Sequence, residues 1–265
     1  MVNLKLGTLL SKILILFSSL LLVLLIAEFI VLRKQQKPED IWHYKGLFQI
    51  DGELIFSLKK NYTRDWKFYD GDAIHLESAS TNDIGIRDRN YTSSEVFDKR
   101  ILIVGDSMTF GHGVKNDESF PNQLENFFNN NSNNVDVLNG GVKGYGTDQS
   151  YRFYKNRLSS IKIDVLVFAV YKNDIWENIL QPLYTIENDE LVELNAKKNW
   201  LYITGMAQSI TPAILRKSNI YNYFLSSIRS KDIFHLLPEY DLRGRLDWSM
   251  RKFYLQIADL KKMSE

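Results

Sequence analysis

The chain contains no cysteine. That excludes a disulfide framework, a thiolate nucleophile and any Cys-ligated zinc or iron–sulfur centre. It also lacks an excess of charge of one sign: 33 Lys and Arg stand against 32 Asp and Glu, a formal net charge of +1. A basic footprint for nucleic acid is therefore missing, and nucleic acid is not expected as a partner. Histidine is scarce, with four in 265 residues, so few side chains could serve as a histidine base. There is no internal repeat. The length leaves room for a membrane anchor and one sizeable domain, but not for a second full domain.

What the chain does have, at its N-terminus, is one long apolar run. From Ile13 to Leu32, ILILFSSLLLVLLIAEFIVL carries a single charge, Glu28, and about 20 such residues are what a helix needs to cross a bilayer. No small-x-small cleavage site follows Ala27, so the reading is an uncleaved transmembrane anchor at 13–32 rather than a signal peptide. Residues 1–12 form a short tail, and RKQQKPEDI at 33–41 is a polar linker. Basic residues flank the run on both sides and do not decide its orientation. The expectation is a single-pass protein of the cytoplasmic membrane with its domain outside, because a lone N-terminal anchor usually serves to export the domain attached to it.

The remaining chain, 42–265, reads as one α/β domain. Residues 42–97 are a β-rich lead-in in which Asp51-Gly52 between apolar runs signals a hairpin. Over 98–179 strands alternate with helices. RILIV (100–104), VDVLN (135–139) and DVLVFAV (164–170) read as strands, the last as one buried on both faces. SFPNQLENFF and DQSYRFYKNRL read as helices, the second with Tyr151, Tyr154 and Leu158 on one face. That alternation predicts a parallel sheet. An insertion at 180–247 holds a hairpin pattern, PLYTIENDELVEL, and a helical stretch, ILRKSNIYNYFLSSI. Residues 248–265 predict a helix with Trp248, Phe253, Ile257 and Leu260 at helical spacing.

Ligands bind at the carboxyl ends of parallel strands, and each of the three predicted strands ends in a polar loop. In GDSMTFG, Ser107 sits at a strand-to-helix turn, where its hydroxyl can act as a nucleophile and its N–H can face an oxyanion; a serine there also serves as a plain N-cap. In NGGVKGYGT the glycines let backbone approach a ligand, and Gly144 offers an N–H. In Tyr171-Lys172-Asn173-Asp174, Asn173 offers a side-chain donor. Tyr145, Tyr171 and Trp176 could line a pocket or pack in the core.

Together these loops resemble the SGNH (GDSL) hydrolase family, over about residues 82–178. GDSMTFGHGV matches its first block, Asn139 with Gly144 its second and Asn173-Asp174 its third. Asn82-Asp83-Ile84-Gly85-Ile86-Arg87-Asp88 resembles a segment that precedes the first block in membrane-anchored bacterial members. The resemblance implies a flavodoxin-like three-layer α/β/α sandwich and hydrolysis or transfer of acyl groups without metal or cofactor. It makes Ser107 the nucleophile, with the N–H groups of Ser107 and Gly144 and the amide of Asn173 forming the oxyanion hole. The substrate would be a small acyl ester or an acylated glycan or lipid of the cell envelope. Where the family has glycine two places before the asparagine, this chain has Tyr171.

The fourth block, Asp-x-x-His, supplies the general base. His43 and His75 precede the nucleophile strand, and His112, five residues after Ser107, is expected to point away from the hydroxyl. Asp232 and His235 have the block's spacing but precede the last helix. The expectation is therefore a domain incomplete at its C-terminus, without its base and without strands to cover DVLVFAV. An anchored binding or assembly protein without turnover, or an O-acyltransferase of the same fold, are the competing readings.

Overall fold

The Asp51-Gly52 signal does close a hairpin. In the computed structural model, which describes residues 12, 14–26, 46–70, 73–90, 96–131, 133–199 and 242–264, β1 (Phe48–Asp51) pairs antiparallel with β2 (Ile55–Leu58). Asp51 Oδ1 accepts from the N–H groups of Glu53 and Leu54 at 3.0 and 3.2 Å, so the aspartate side chain itself forms the turn. A longer hairpin, β3 (Thr63–Asp70) with β4 (Ala73–Ser80), completes the lead-in. Leu47, Leu54, Leu58, Ala79 and Ile86 are buried in the same apolar cluster as Leu102 and Val104, so the lead-in is part of the core.

Three parallel strands follow: β5 (Lys99–Gly105), β6 (Val135–Gly141) and β7 (Val165–Phe168). They lie in the order β6-β5-β7, with β5 in the middle. Between them come the four-residue α1 (Ser107–Phe110), α2 (Phe120–Asn130) and α3 (Thr147–Phe153), the last running into a π-turn, Tyr154–Leu158. Side chains alternate across the sheet as strand geometry requires. Leu102, Val104 and Leu138 join Tyr151, Phe153 and Leu158 on one side, while Ile103, Val135 and Val137 meet Leu124 and Phe128 of α2 on the other. Tyr151 and Leu158 are buried, as their expected shared face requires.

After β7 come α4 (Asp174–Leu180) and the hairpin β8 (Tyr184–Glu187) with β9 (Glu190–Glu193). Asn188 and Asp189 in its tip both have positive φ, 50° and 66°, the conformation of a two-residue primed turn. The long C-terminal helix is α5 (Leu242–Ser264).

One expectation needs correction. DVLVFAV is not a strand buried on both faces: only Val165–Phe168 is extended, and Val165 and Val167 are 40% and 38% exposed. Leu166 and Phe168 pack on the larger core cluster, while Val165 and Val167 leave the other face of β7 partly open. In α5 the most buried side chains are not the apolar set Trp248, Phe253, Ile257 and Leu260. Ser249, Lys252 and Gln256 are buried more deeply than any of these. Lys252 is drawn in by a buried carboxylate, Asp148, which hydropathy spacing cannot register.

Contacts divide the chain into two units, Met1–Ile41 with Ala207–Tyr240 and Trp42–Met206 with Asp241–Glu265. In the first, residues 14–26 are helical and exposed. Among the described residues no helix is long and apolar enough to cross a membrane. Ile13 and residues 27–32, the rest of the expected span, lie outside the described residues, as does the expected helix ILRKSNIYNYFLSSI.

Candidate active site

Ser107 stands at the carboxyl end of the central strand. Because β6 and β7 leave β5 in opposite directions, this end is the switch point at which doubly wound sheets open a crevice. Asp106, not Ser107, is the N-cap of α1: its Oδ1 accepts from Met108 N–H at 2.9 Å. The hydroxyl of Ser107 is thereby spared the capping role. It donates only a long contact to Asp106 Oδ2, 3.4 Å, and the residue is half-buried.

The second loop is bonded to the first and to the helix that follows the third. Asn139 is fully buried; its Oδ1 accepts from Gly141 N–H at 3.0 Å and its amide donates to Phe110 O at 3.4 Å, tying β6 to the end of α1. A Cβ at Gly141 would lie 2.3 Å from Phe110 N, so α1 rests on bare backbone there. Gly144 adopts φ +83°, a left-handed conformation that side chains resist. Its carbonyl accepts from Gln181 Nε2 at 3.3 Å. Asn178 of α4 accepts from Asp148 N–H at 3.0 Å and donates to Thr147 Oγ1 at 2.7 Å.

In the third loop Asn173 precedes α4 in the N-cap position but makes no side-chain cap bond, and its Oδ1 is buried without a partner. Asp174 is buried and accepts from Tyr171 N–H at 3.0 Å. Burial pushes its carboxyl up to about 7, with Asp106 and Glu177 adding like-charge repulsion. Burial also pushes Glu177 up to about 7; Asp106 adds repulsion while Gln181 opposes it. Both carboxyls are poised near neutrality within electrostatic reach of Asp106, the residue before Ser107, and are groups able to exchange protons at physiological pH.

The three expected site loops therefore all lie at the carboxyl end of the parallel sheet. Not all of the other candidates join them. Tyr145 is core: it is fully buried, stacks on Phe56 and Phe153, and donates to Phe56 O at 2.8 Å. Tyr171 is 43% exposed and Trp176 half-buried. His112 Nδ1 lies 3.9 Å from the buried Glu77 carboxylate. His75 lies on β4, whereas His43, Asp232 and His235 lie outside the described residues. Cavities of about 320 and 220 Å³ border Arg152 and Arg89 respectively, not Ser107. No cluster of three or more His, Asp or Glu suited to a metal occurs among the described residues.

Sequence reasoning missed two residues that build this site. Arg87 and Asp88 contact the first and second loops directly, and the one signal for them was that the segment Asn82–Asp88 resembles a stretch preceding the first block. Asp88 Oδ2 accepts from Asn139 N–H at 2.7 Å, and burial pushes its carboxyl up to about 6.

No family model matches the chain, and no curated protein does. Solved structures do. One is AlinE4, described as an SGNH-hydrolase family esterase, at 29% identity over 32% of this chain and 46% of that chain, with a TM-score of 0.29. Two point mutants of the same esterase match over the same shares, at 29% and 27% identity and TM-scores of 0.29 and 0.28. The chain thus spans less than half the length of these esterases.

Proposed function

We propose that this chain is a serine hydrolase of carboxylic esters of the SGNH type, with Ser107 as nucleophile. The observation that carries the reading is the Asp106 cap, which leaves Ser107 at the switch point of the sheet with no structural task for its hydroxyl. In the proposed reaction Ser107 Oγ attacks the ester carbonyl and its proton passes to a base. The Ser107 and Gly144 N–H groups and the Asn173 amide hold the oxyanion. Collapse expels the alcohol, which takes up that proton, and water releases the acid from the acyl-enzyme by the same route.

Three Asp-x-x-His pairs occur in the chain, Asp40/His43, Asp72/His75 and Asp232/His235, and Asp232 with His235 is the one that follows the nucleophile in sequence, as the family's supporting carboxylate and base do. The N-terminal apolar run is proposed to anchor the domain outside the cytoplasmic membrane, which would set it against acyl esters of envelope glycans or lipids. The contact of His112 with Glu77, rather than with the serine, favours one second reading, a binding module without turnover.

Hydrolysis of 4-nitrophenyl acetate by the full chain, Ser107→Ala and His235→Ala separates these. A rate lost in both variants supports the esterase with Asp232/His235 as its pair. A rate lost in Ser107→Ala but kept in His235→Ala removes that pair and keeps the nucleophile. No serine-dependent rate supports the binding module.

A further inference from the structure

Arg87 commits most of its donors to one end of α1. The side chain is 1% exposed, and its guanidinium carries five N–H groups in a fixed fork. Nη1 donates to Phe110 O at 2.7 Å and Gly111 O at 2.6 Å. Nη2 donates to Val114 O at 2.7 Å and to Ser78 O, and Nε donates to Asn116 Oδ1 at 2.7 Å. The guanidinium carbon also stands 4.5 Å from the Phe110 ring centroid. Five donors thus meet five acceptors, and three of those acceptors are carbonyls at or just beyond the last residue of α1.

A single turn of helix does not hold its own shape in water. In α1 the far end is bonded straight back to the first residue: Gly111 N–H and His112 N–H both donate to Ser107 O, at 3.1 and 3.0 Å. Whatever fixes Phe110 and Gly111 therefore fixes Ser107. The neighbouring Asp88 holds Asn139 N–H, and Asn139 donates to the same Phe110 carbonyl that Arg87 grips. Two consecutive side chains thereby register the nucleophile turn against the strand that leads to Gly144. Their own turn is set by Asn82, whose Oδ1 accepts from Ile84, Gly85 and Ile86 N–H at 3.1 to 3.2 Å.

We propose that Arg87 is a positioning residue for Ser107: it sets where the nucleophile stands relative to the Gly144 loop, and so acts on turnover rather than on substrate binding. The inference rests on the serine-hydrolase reading for its catalytic consequence, while its structural half stands without it.

The test uses the full chain with Arg87→Lys, which keeps the charge but cannot span five acceptors. Amide hydrogen exchange over residues 107–112 should rise about 10-fold while β5 and β6 exchange as before. With 4-nitrophenyl acetate, kcat should fall about 10²-fold at nearly unchanged KM, the loss expected of a nucleophile displaced by about 1 Å. Guanidinium ion added to Arg87→Ala should restore part of kcat. If Arg87→Lys does not fold, Asn116→Ala removes one acceptor and should give the same pattern at smaller amplitude. Unchanged exchange at 107–112, a rise spread evenly over the sheet, or a KM increase at constant kcat would each overturn the proposal. Absence of any Ser107-dependent rate in the unmodified chain would sink the hydrolase reading alone, and exchange would then decide the role of Arg87.

Discussion

Replacing Lys252 by Met should cost more stability than any surface change in this chain. Lys252 and Asp148 are both fully buried, with Nζ 2.7 Å from Oδ2. The carboxylate also accepts from Leu183 and Tyr184 N–H at 3.0 and 3.2 Å and from Gln256 Nε2 at 2.8 Å, while Lys252 stands 4.0 Å over the Trp248 ring. Methionine fills the stem but leaves Asp148 a buried charge with hydrogen bonds and no counter-ion, a defect that costs about 3–5 kcal/mol. Three retained donors put the expectation at the lower end, about 3 kcal/mol, or roughly 6–12 °C in Tm for a domain of this size. Asp148→Asn alone strands the ammonium and should cost a similar amount. The double variant should cost less than the two together by about 2 kcal/mol, because each loss is largely the unpaired partner. Urea unfolding followed by tryptophan fluorescence reads all four. Additive losses, or under 1 kcal/mol for Lys252→Met, would refute the claim that this pair joins α5 to the start of α3.

Two other outcomes concern the site. Asn173→Ala should lower kcat for a short-chain ester by about 10²–10³-fold with the melting temperature little changed, as loss of one oxyanion donor does; wild-type turnover would remove Asn173 from the mechanism. The carboxyls of Asp88, Asp174 and Glu177 all stand above their unfolded values, at about 6, 7 and 7. The folded chain therefore binds these protons more tightly, and the stability they confer, complete at low pH, is lost as pH rises through about 6 to 7. Melting at pH 5 should exceed melting at pH 8, Asp174→Asn should flatten the difference, and a midpoint that climbs with pH would contradict the assignment.

The hairpin turns and the three parallel strands were legible because each carries its signal locally. Asp51-Gly52 and Asn188-Asp189 supply turn chemistry, and β5 and β6 are apolar runs ending in glycine. The same locality made Ser107, Gly144 and Asn173 readable as loop residues at strand ends. What escaped depends on partners distant in sequence. Lys252 faces inward only because Asp148 waits 104 residues away. Arg87 is held by acceptors 9 to 29 residues away, which no local pattern marks. Tyr145 could have lined a pocket or a core, and only its contacts with Phe56 and Phe153 decide for the core. DVLVFAV looked doubly buried by hydropathy, yet burial depends on what covers each face.

The central claim, that Ser107 is a reactive nucleophile, is tested most directly by labelling. The full chain is treated with a fluorophosphonate, and the modified peptide is located by mass spectrometry. The account predicts one stoichiometric adduct on Ser107, slowed by a competing short-chain ester and lost in Ser107→Ala. No adduct, or labelling of another residue while Ser107 remains unmodified, would contradict it.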